Sequence, residues 1–156
     1  MTTAVRTLVN LDEAELVYAA HVGIRRQIEA VSRALPDRNG YDGLGWDVHI
    51  EGACGELALA KFLGRYWSAS NGSFRRAADV GRLEVRTRSR HDYELIIRPD
   101  DDPMKYYALV TGRAPSYRIR GFLLGEDARR PEWWQTHGGR PAAWFVPTEQ
   151  LRTDWP

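Results

Sequence analysis

The stretch Asp79-Val80-Gly81-Arg82-Leu83-Glu84-Val85-Arg86-Thr87-Arg88 decides how this chain is read. Gly81 and Arg82 mark a tight turn between a short strand at Ala77 to Val80 and an alternating strand at Leu83 to Thr87. Because side chains alternate along a strand, Arg82, Glu84, Arg86 and Arg88 are expected on one face, and Leu83, Val85 and Thr87 on the other. Two carboxylates, Asp79 and Glu84, thus stand on neighbouring strands across a turn. Hard cations such as Mg²⁺ take oxygen ligands and usually only one or two carboxylates, the remainder coming from water and substrate phosphates. Asp79 and Glu84 are candidates for that pair. A solvated strand face laced with salt bridges gives the same pattern.

Working outward, a second unit precedes the strand: Gly52-Ala53-Cys54-Gly55-Glu56-Leu57-Ala58-Leu59-Ala60-Lys61-Phe62-Leu63-Gly64. It belongs to a helix expected from about Asp47 to Leu63, with Gly64 as a left-handed cap. Gly52 and Ala53 lie one turn before Glu56 and Ala60 one turn after, so Glu56 sits in a stripe of small residues that allows close approach to a sheet. A carboxylate there is costly to desolvate without a metal or cation beside it, whereas an exposed helical Glu needs neither.

Upstream, Leu16, Val17, Ala20, Ile24, Ile28 and Val31 recur at three- and four-residue steps, which predicts an amphipathic helix over 11–35 capped by Asn10 or Asp12 and ended by Pro36. Pro36 to Trp46 reads as a loop, as does Ser68 to Ser73. Downstream, Tyr93 to Arg98, Lys105 to Thr111 and Tyr117 to Leu124 read as strands, so that Ser89 to Thr111 resembles an elaborated hairpin. Glu126 to Gln135 reads as a short helical piece and Trp144 to Val146 as a last strand. Helices followed by strands predict an α/β layer structure, with helices covering one face of a mixed sheet. One domain over 1–156 suffices, with an N-terminal helix, a motif-bearing core at 47–124 and a tail at 125–156.

Composition excludes little about partners but something about place. A single cysteine, Cys54, can form no internal disulfide and hold no cysteine-ligated cluster, and the N-terminal residues carry no apolar signal core, so the cytoplasm is expected. A net charge of +1 is uninformative, yet Ser73 to Arg90 holds six arginines against two acids, a local balance of +4. Arg75, Arg76, Arg88 and Arg90 are therefore candidates to bind phosphates of a nucleic acid. Tyr66, Trp67 and Phe74, beside those arginines, could stack on bases, although core packing is the commoner use of aromatics. No pair of the four histidines has metal-ligand spacing, and Cys54 reads as a buried thiol.

Taken in order, Gly52-x-x-Gly55-Glu56-x-Ala58 on a helix, then Asp79, then Glu84-Val85-Arg86-Thr87-Arg88 on a strand resembles the PD-(D/E)XK nuclease superfamily, of which Holliday-junction resolvases, restriction enzymes and phage exonucleases are members. The resemblance covers roughly Ile50 to Arg88. It implies a restriction-endonuclease-like mixed β-sheet flanked by helices, with Asp79 and Glu84 binding Mg²⁺ or Mn²⁺, Glu56 assisting from the helix, and hydrolysis of a phosphodiester. Arg86 occupies the place of the family's usual lysine. A guanidinium stays protonated, so Arg86 is expected to contact the scissile phosphate rather than to take a proton; Lys61, one turn beyond Glu56, is an alternative source of an ammonium group.

The implied function is a small Mg²⁺-dependent deoxyribonuclease, of the kind encoded by phages or used in repair, recombination or restriction. DNA is the expected partner, no membrane is involved, and a homodimer is left open. Two other readings compete: a catalytically silent nucleic-acid-binding module on the same fold, and a structural or interaction protein whose Glu84 and arginines form surface ion pairs.

Overall fold

A computed structural model describes residues 7–33, 45–70 and 78–156. The chain is a mixed α/β structure of two helices and two sheets. Helix α1 spans Glu13–Ser32 and begins at a capping box, in which Asp12 accepts the Glu15 N–H while the Glu15 side chain accepts the Asp12 N–H. Helix α2 spans Gly45–Leu63 and ends at Gly64, whose φ of +63° is the left-handed conformation expected of that cap.

The two helices pack together through a glycine. A Cβ at Gly23 would stand 2.5 Å from the Ile50 Cα, so only glycine admits this approach of α1 to α2. Ala19, Val22 and Gly23 form the buried face of α1, and the stripe expected to cover the core is turned partly outward: Val17, Ile28 and Val31 are each at least half exposed. The small residues, not the large ones, mark the contact.

Strands β1 (Leu8–Asn10), β5 (Ser116–Leu124), β4 (Tyr106–Arg113) and β2 (Leu83–Arg88) form the first sheet in that spatial order. It is mixed, because β2 runs parallel to β4 while the other pairs are antiparallel. Its alternating residues feed two cores. Ala108, Val110, Ile119 and Phe122 join Leu83, Ala53, Ala58 and Leu59 under the helices, whereas Tyr107, Leu109 and Leu123 join Leu95, Ile97, Val146 and Trp133 on the opposite side. That opposite side is covered by a second, antiparallel sheet of β3 (Leu95–Ile97), β7 (Ala143–Val146) and β6 (Trp134–Gln135), in the order β3-β7-β6.

Several expectations are corrected here. The segment after β2 is no hairpin: β3 leaves for the second sheet, and β4 returns parallel to β2. Val80 makes only isolated bridges to Trp67 and Leu83, so Asp79 stands on a bend rather than a strand. The helical part of Glu126 to Gln135 is only a 3₁₀ turn at Pro131–Trp133, since Pro131 cannot continue a helix begun before it, and Trp134 and Gln135 belong to β6. Strands β1 and β6, of three and two residues, are too short to show a period in the sequence. The loops expected at Pro36 to Trp46 and Ser68 to Ser73 lie mostly outside the described residues, although Gly45 and Trp46 begin α2.

Candidate active site

Among the described residues, strand β2 is the edge of the first sheet, with β4 on one side only. Its open side is met by Asp79, whose Oδ2 accepts the Val85 N–H at 2.8 Å. The turn at Gly81, with φ of +58°, folds the chain back tightly enough for this contact. Beneath β2 lies α2, and the approach is close: a Cβ on Gly55 would fall 1.9 Å from the Thr87 Oγ1. Gly55 therefore sets the depth at which the next residue, Glu56, reaches the sheet.

Glu56 is 6% exposed and fully engaged. Arg26 of α1 grips it with both terminal nitrogens, Nη1 donating to Oε2 at 2.5 Å and Nη2 to Oε1 at 3.0 Å, and the Trp67 indole N–H donates to Oε1 at 3.2 Å. The Arg26 Nε also donates to the Ser70 carbonyl at 3.0 Å. The cost of burying the Glu56 charge is thus met by a guanidinium and an indole.

Asp79 lies within the electrostatic reach of both other carboxylates. Burial, reinforced by the negative charges of Glu56 and Glu84, pushes its carboxyl up to about 7, against the opposing pull of the Val85 N–H and the Arg26 charge. Crowded carboxylates of this kind are a recurrent mark of functional sites, because a cation relieves the repulsion that ordinary folding would avoid. Among the described residues, no hydrogen bond reaches Asp79 Oδ1 or Glu84 Oε2, while Asp79 Oδ2 and Glu84 Oε1 each accept one. Glu56 fits less well as a direct ligand, since both its oxygens already accept hydrogen bonds. Among the described residues no group of three or more His, Cys, Asp and Glu is arranged to hold a metal ion.

The remaining residues of β2 alternate as expected from Leu83 onward. Thr87 abuts α2, while the Arg86 guanidinium lies over the Tyr107 ring, 5.0 Å from its centroid, on the side of the second sheet. Arg82 departs from this face. It precedes the strand, and its guanidinium lies 5.2 Å from the centroid of Tyr106, a ring packed edge-on to Phe122 in the core under the helices.

Each described cation near the carboxylates has a definite partner. Lys105, just before β4, donates to Glu84 Oε1 at 2.8 Å, and Arg86 pairs with Asp101 at 2.7 Å. Arg88 stacks on Tyr93 at 4.3 Å and donates to the Glu94 carbonyl at 2.9 Å. Arg90 is turned to Asp92 in an exposed pair at 2.9 Å. Lys61 is directed away from Glu56, to Glu15 and the Asn10 carbonyl, both at 2.8 Å. Arg75, Arg76 and Phe74 lie outside the described residues. Of the other aromatics, Trp67 is buried against Tyr18 and Tyr66 is exposed. Cys54 is buried, and desolvation pushes its thiol up, which suits a structural residue rather than a nucleophile.

Arg26, Lys105 and Asp101 were not legible as site residues. A signal exists for Arg26, which follows Val22 and Gly23 by one turn on the buried face of α1. Lys105 and Asp101 carry none, because their positions depend on how β3 and β4 return beside β2.

Comparison of the chain with protein-family models, with curated proteins and with solved structures gives no match. No helix among the described residues is long and apolar enough to cross a membrane.

Proposed function

We propose that the chain is a metal-dependent nuclease with a restriction-endonuclease-like core, acting on DNA with Mg²⁺ or Mn²⁺ in a reducing, cytoplasmic setting. The observation that carries the proposal is Asp79: a carboxyl pushed up to about 7 between two further carboxylates, at the open edge of a strand that presents Glu84 and Arg86. Asp79 and Glu84 would hold the cation. Bound there, a divalent ion supplies Lewis-acid charge to a phosphodiester and favours attack by water. The chain's own residues supply the rest. Asp79 is oriented by the Val85 N–H, Glu56 and Arg26 fix the wall beneath it, and Lys105 holds the Glu84 carboxylate toward β4. Arg86, always protonated, offers donors to a phosphate once Asp101 shares it.

The test is metal binding itself. Calorimetric titration with Mn²⁺ should give one site in the parent chain, lost in Asp79→Ala and Glu84→Ala and kept in Glu56→Gln. Equal binding by all four proteins would remove the basis of the proposal.

One observation favours a second reading, a catalytically silent nucleic-acid-binding module. Arg86 is already paired with Asp101 and stacked on Tyr107, so the group in the family's lysine position is anchored rather than free to serve chemistry. That reading keeps nucleic-acid binding and predicts no cleavage with either metal.

A further inference from the structure

Helix α1 carries an apolar side that the fold leaves outside. Ala19, Val22 and Gly23 are buried, and the Arg26 side chain beside them is 14% exposed. At about 100° per residue these four fall on one side of the helix, toward α2 and Glu56. Val17, His21, Ile24, Ile28 and Val31 fall on the opposite side. Val17, Ile28 and Val31 are each at least half exposed, His21 is exposed, and Ile24 between them is half-buried. Single exposed apolar residues are ordinary. Four of them in one line, over about 21 Å of helix at the usual rise, make a patch of the kind that marks an interaction surface.

The spacing defines the shape that covers this patch. From Val17 through His21, Ile24 and Ile28 to Val31 the steps are four, three, four and three. That 3.5-residue period is the seam along which one helix packs lengthwise on another.

The flank of the seam identifies the second helix. Tyr18 and Arg25 directly follow Val17 and Ile24, so they stand one heptad apart on the same flank, and both are exposed. Tyr18 rests edge-on against Trp67 with half its surface free. Among the described residues Arg25 makes no hydrogen bond or ion pair. A two-fold axis perpendicular to α1 reverses the direction of the second helix but keeps its flank on the same side. Tyr18 of each copy then meets Arg25 of the other, an attraction of a cation for an aromatic face made twice. In the same register Val17 faces Ile28 of the other copy, and His21 faces its Ile24. The acidic first turn, with Glu13, lies toward the C-terminal end of the other helix, where the helix dipoles oppose and attract. A parallel pair would instead stack His21 on His21, align the dipoles and separate Tyr18 from Arg25.

We propose that α1 is a dimerisation helix, which packs antiparallel on α1 of a second copy of this chain along the seam of Val17, His21, Ile24, Ile28 and Val31. The contact is isologous, so it closes at two copies. It is only four layers deep, and the dimer is therefore reversible, with a dissociation constant on the order of micromolar. The seam lies on the side of α1 away from Glu56, so the inference stands apart from the nuclease reading.

Sedimentation equilibrium of the full chain at micromolar to submillimolar concentration should show a reversible dimer. Val17→Glu and Ile28→Glu each place a charge in the seam and should raise the dissociation constant at least about thirtyfold, the scale of a residue central to an interface. Both sites are half exposed in the single chain, so helix content by circular dichroism should be kept. Ile28→Leu, which keeps the seam apolar, should leave the dimer in place, and Arg25→Gln should weaken it about two- to fivefold. A spin label on Glu13→Cys reads the direction of packing, since Cys54 is buried and does not compete for the label. Antiparallel helices in this register put the two labels about 30 Å apart, and parallel ones about 10 Å apart. A parent that stays monomeric throughout, a dimer that survives both glutamate variants, or labels about 10 Å apart would overturn the proposal. A stripe covered by any partner other than a second copy gives the first of these results.

Discussion

Asp79 and Val85 are joined across the open edge of β2, the carboxylate Oδ2 accepting the Val85 backbone N–H at 2.8 Å. The contact fills a ladder position that no neighbouring strand occupies among the described residues. It also holds a carboxyl where burial and two further carboxylates oppose its ionisation. Stability at this point is set against chemistry, and the opposition can be measured.

The Asp79 carboxyl, pushed up from 3.8 to about 7, holds its proton more tightly in the folded chain than in the unfolded one. As pH rises from about 4 to about 7 the unfolded state loses that proton first, so this group makes stability fall through the window, with the full penalty present above it. Asp79→Asn keeps an oxygen acceptor for the Val85 N–H and removes the charge. In metal-free urea denaturation at pH 8 the variant should exceed the parent by on the order of 2–4 kcal/mol, the difference shrinking toward pH 4. A variant less stable than the parent at pH 8 would contradict this, showing that the ionised carboxylate gains more from the charged acceptor it offers Val85 than it loses to burial and repulsion.

Removing one partner of the buried Arg26–Glu56 pair strands the other. Arg26→Met should cost about 3–5 kcal/mol. The double variant Arg26→Met, Glu56→Met should recover most of that loss, because no unpaired charge is left behind. A double variant no better than the single one would mean that helix packing around Gly23, rather than the ion pair, carries the effect.

Gly55→Ala tests the depth of α2 against β2. The added methyl group would meet Thr87 Oγ1 at 1.9 Å, and Thr87 is part of the sheet, so the helix must shift. Overpacking of this sort costs typically 1–3 kcal/mol. Thr87→Ala added to it should restore part of the stability, since it removes Oγ1 and Cγ2 and leaves the Thr87 Cβ at 2.9 Å still tight. Thermal denaturation of the three variants decides the point; no loss in Gly55→Ala contradicts it.

Arg86 separates the two functional readings. Arg86→Lys keeps the charge beside Asp101 and restores an ammonium to the position, so cleavage should be retained or raised, whereas Arg86→Ala should lower it by removing charge stabilisation of the transition state. An inactive parent rescued by Arg86→Lys would favour the silent module.

Parts of this arrangement were legible in the sequence because they follow from local rules. Asp12, Glu15 and Gly64 announce their caps, the small residues around Glu56 announce a close helix, and the alternation from Leu83 to Arg88 announces which side chains part company. Other features depend on distant pairing. Nothing local says that β3 leaves for a second sheet, that Lys105 returns beside Glu84, or that Arg26 and Glu56, 30 residues apart, meet under the sheet. The outward-turned Val17, Ile28 and Val31 show why periodicity alone misjudged α1: Gly23 allows a closer contact than the larger residues do, and the helix turns toward it.

The central claim is that Asp79 and Glu84 hold a divalent cation that drives phosphodiester cleavage. Incubating labelled single- and double-stranded DNA with Mg²⁺ or Mn²⁺ and the parent, Asp79→Ala and Glu84→Ala chains, each shown to be folded, tests it most directly. The account predicts metal-dependent cleavage by the parent and its loss in both variants; cleavage unaffected by both substitutions, or none by the parent with either metal, would contradict it.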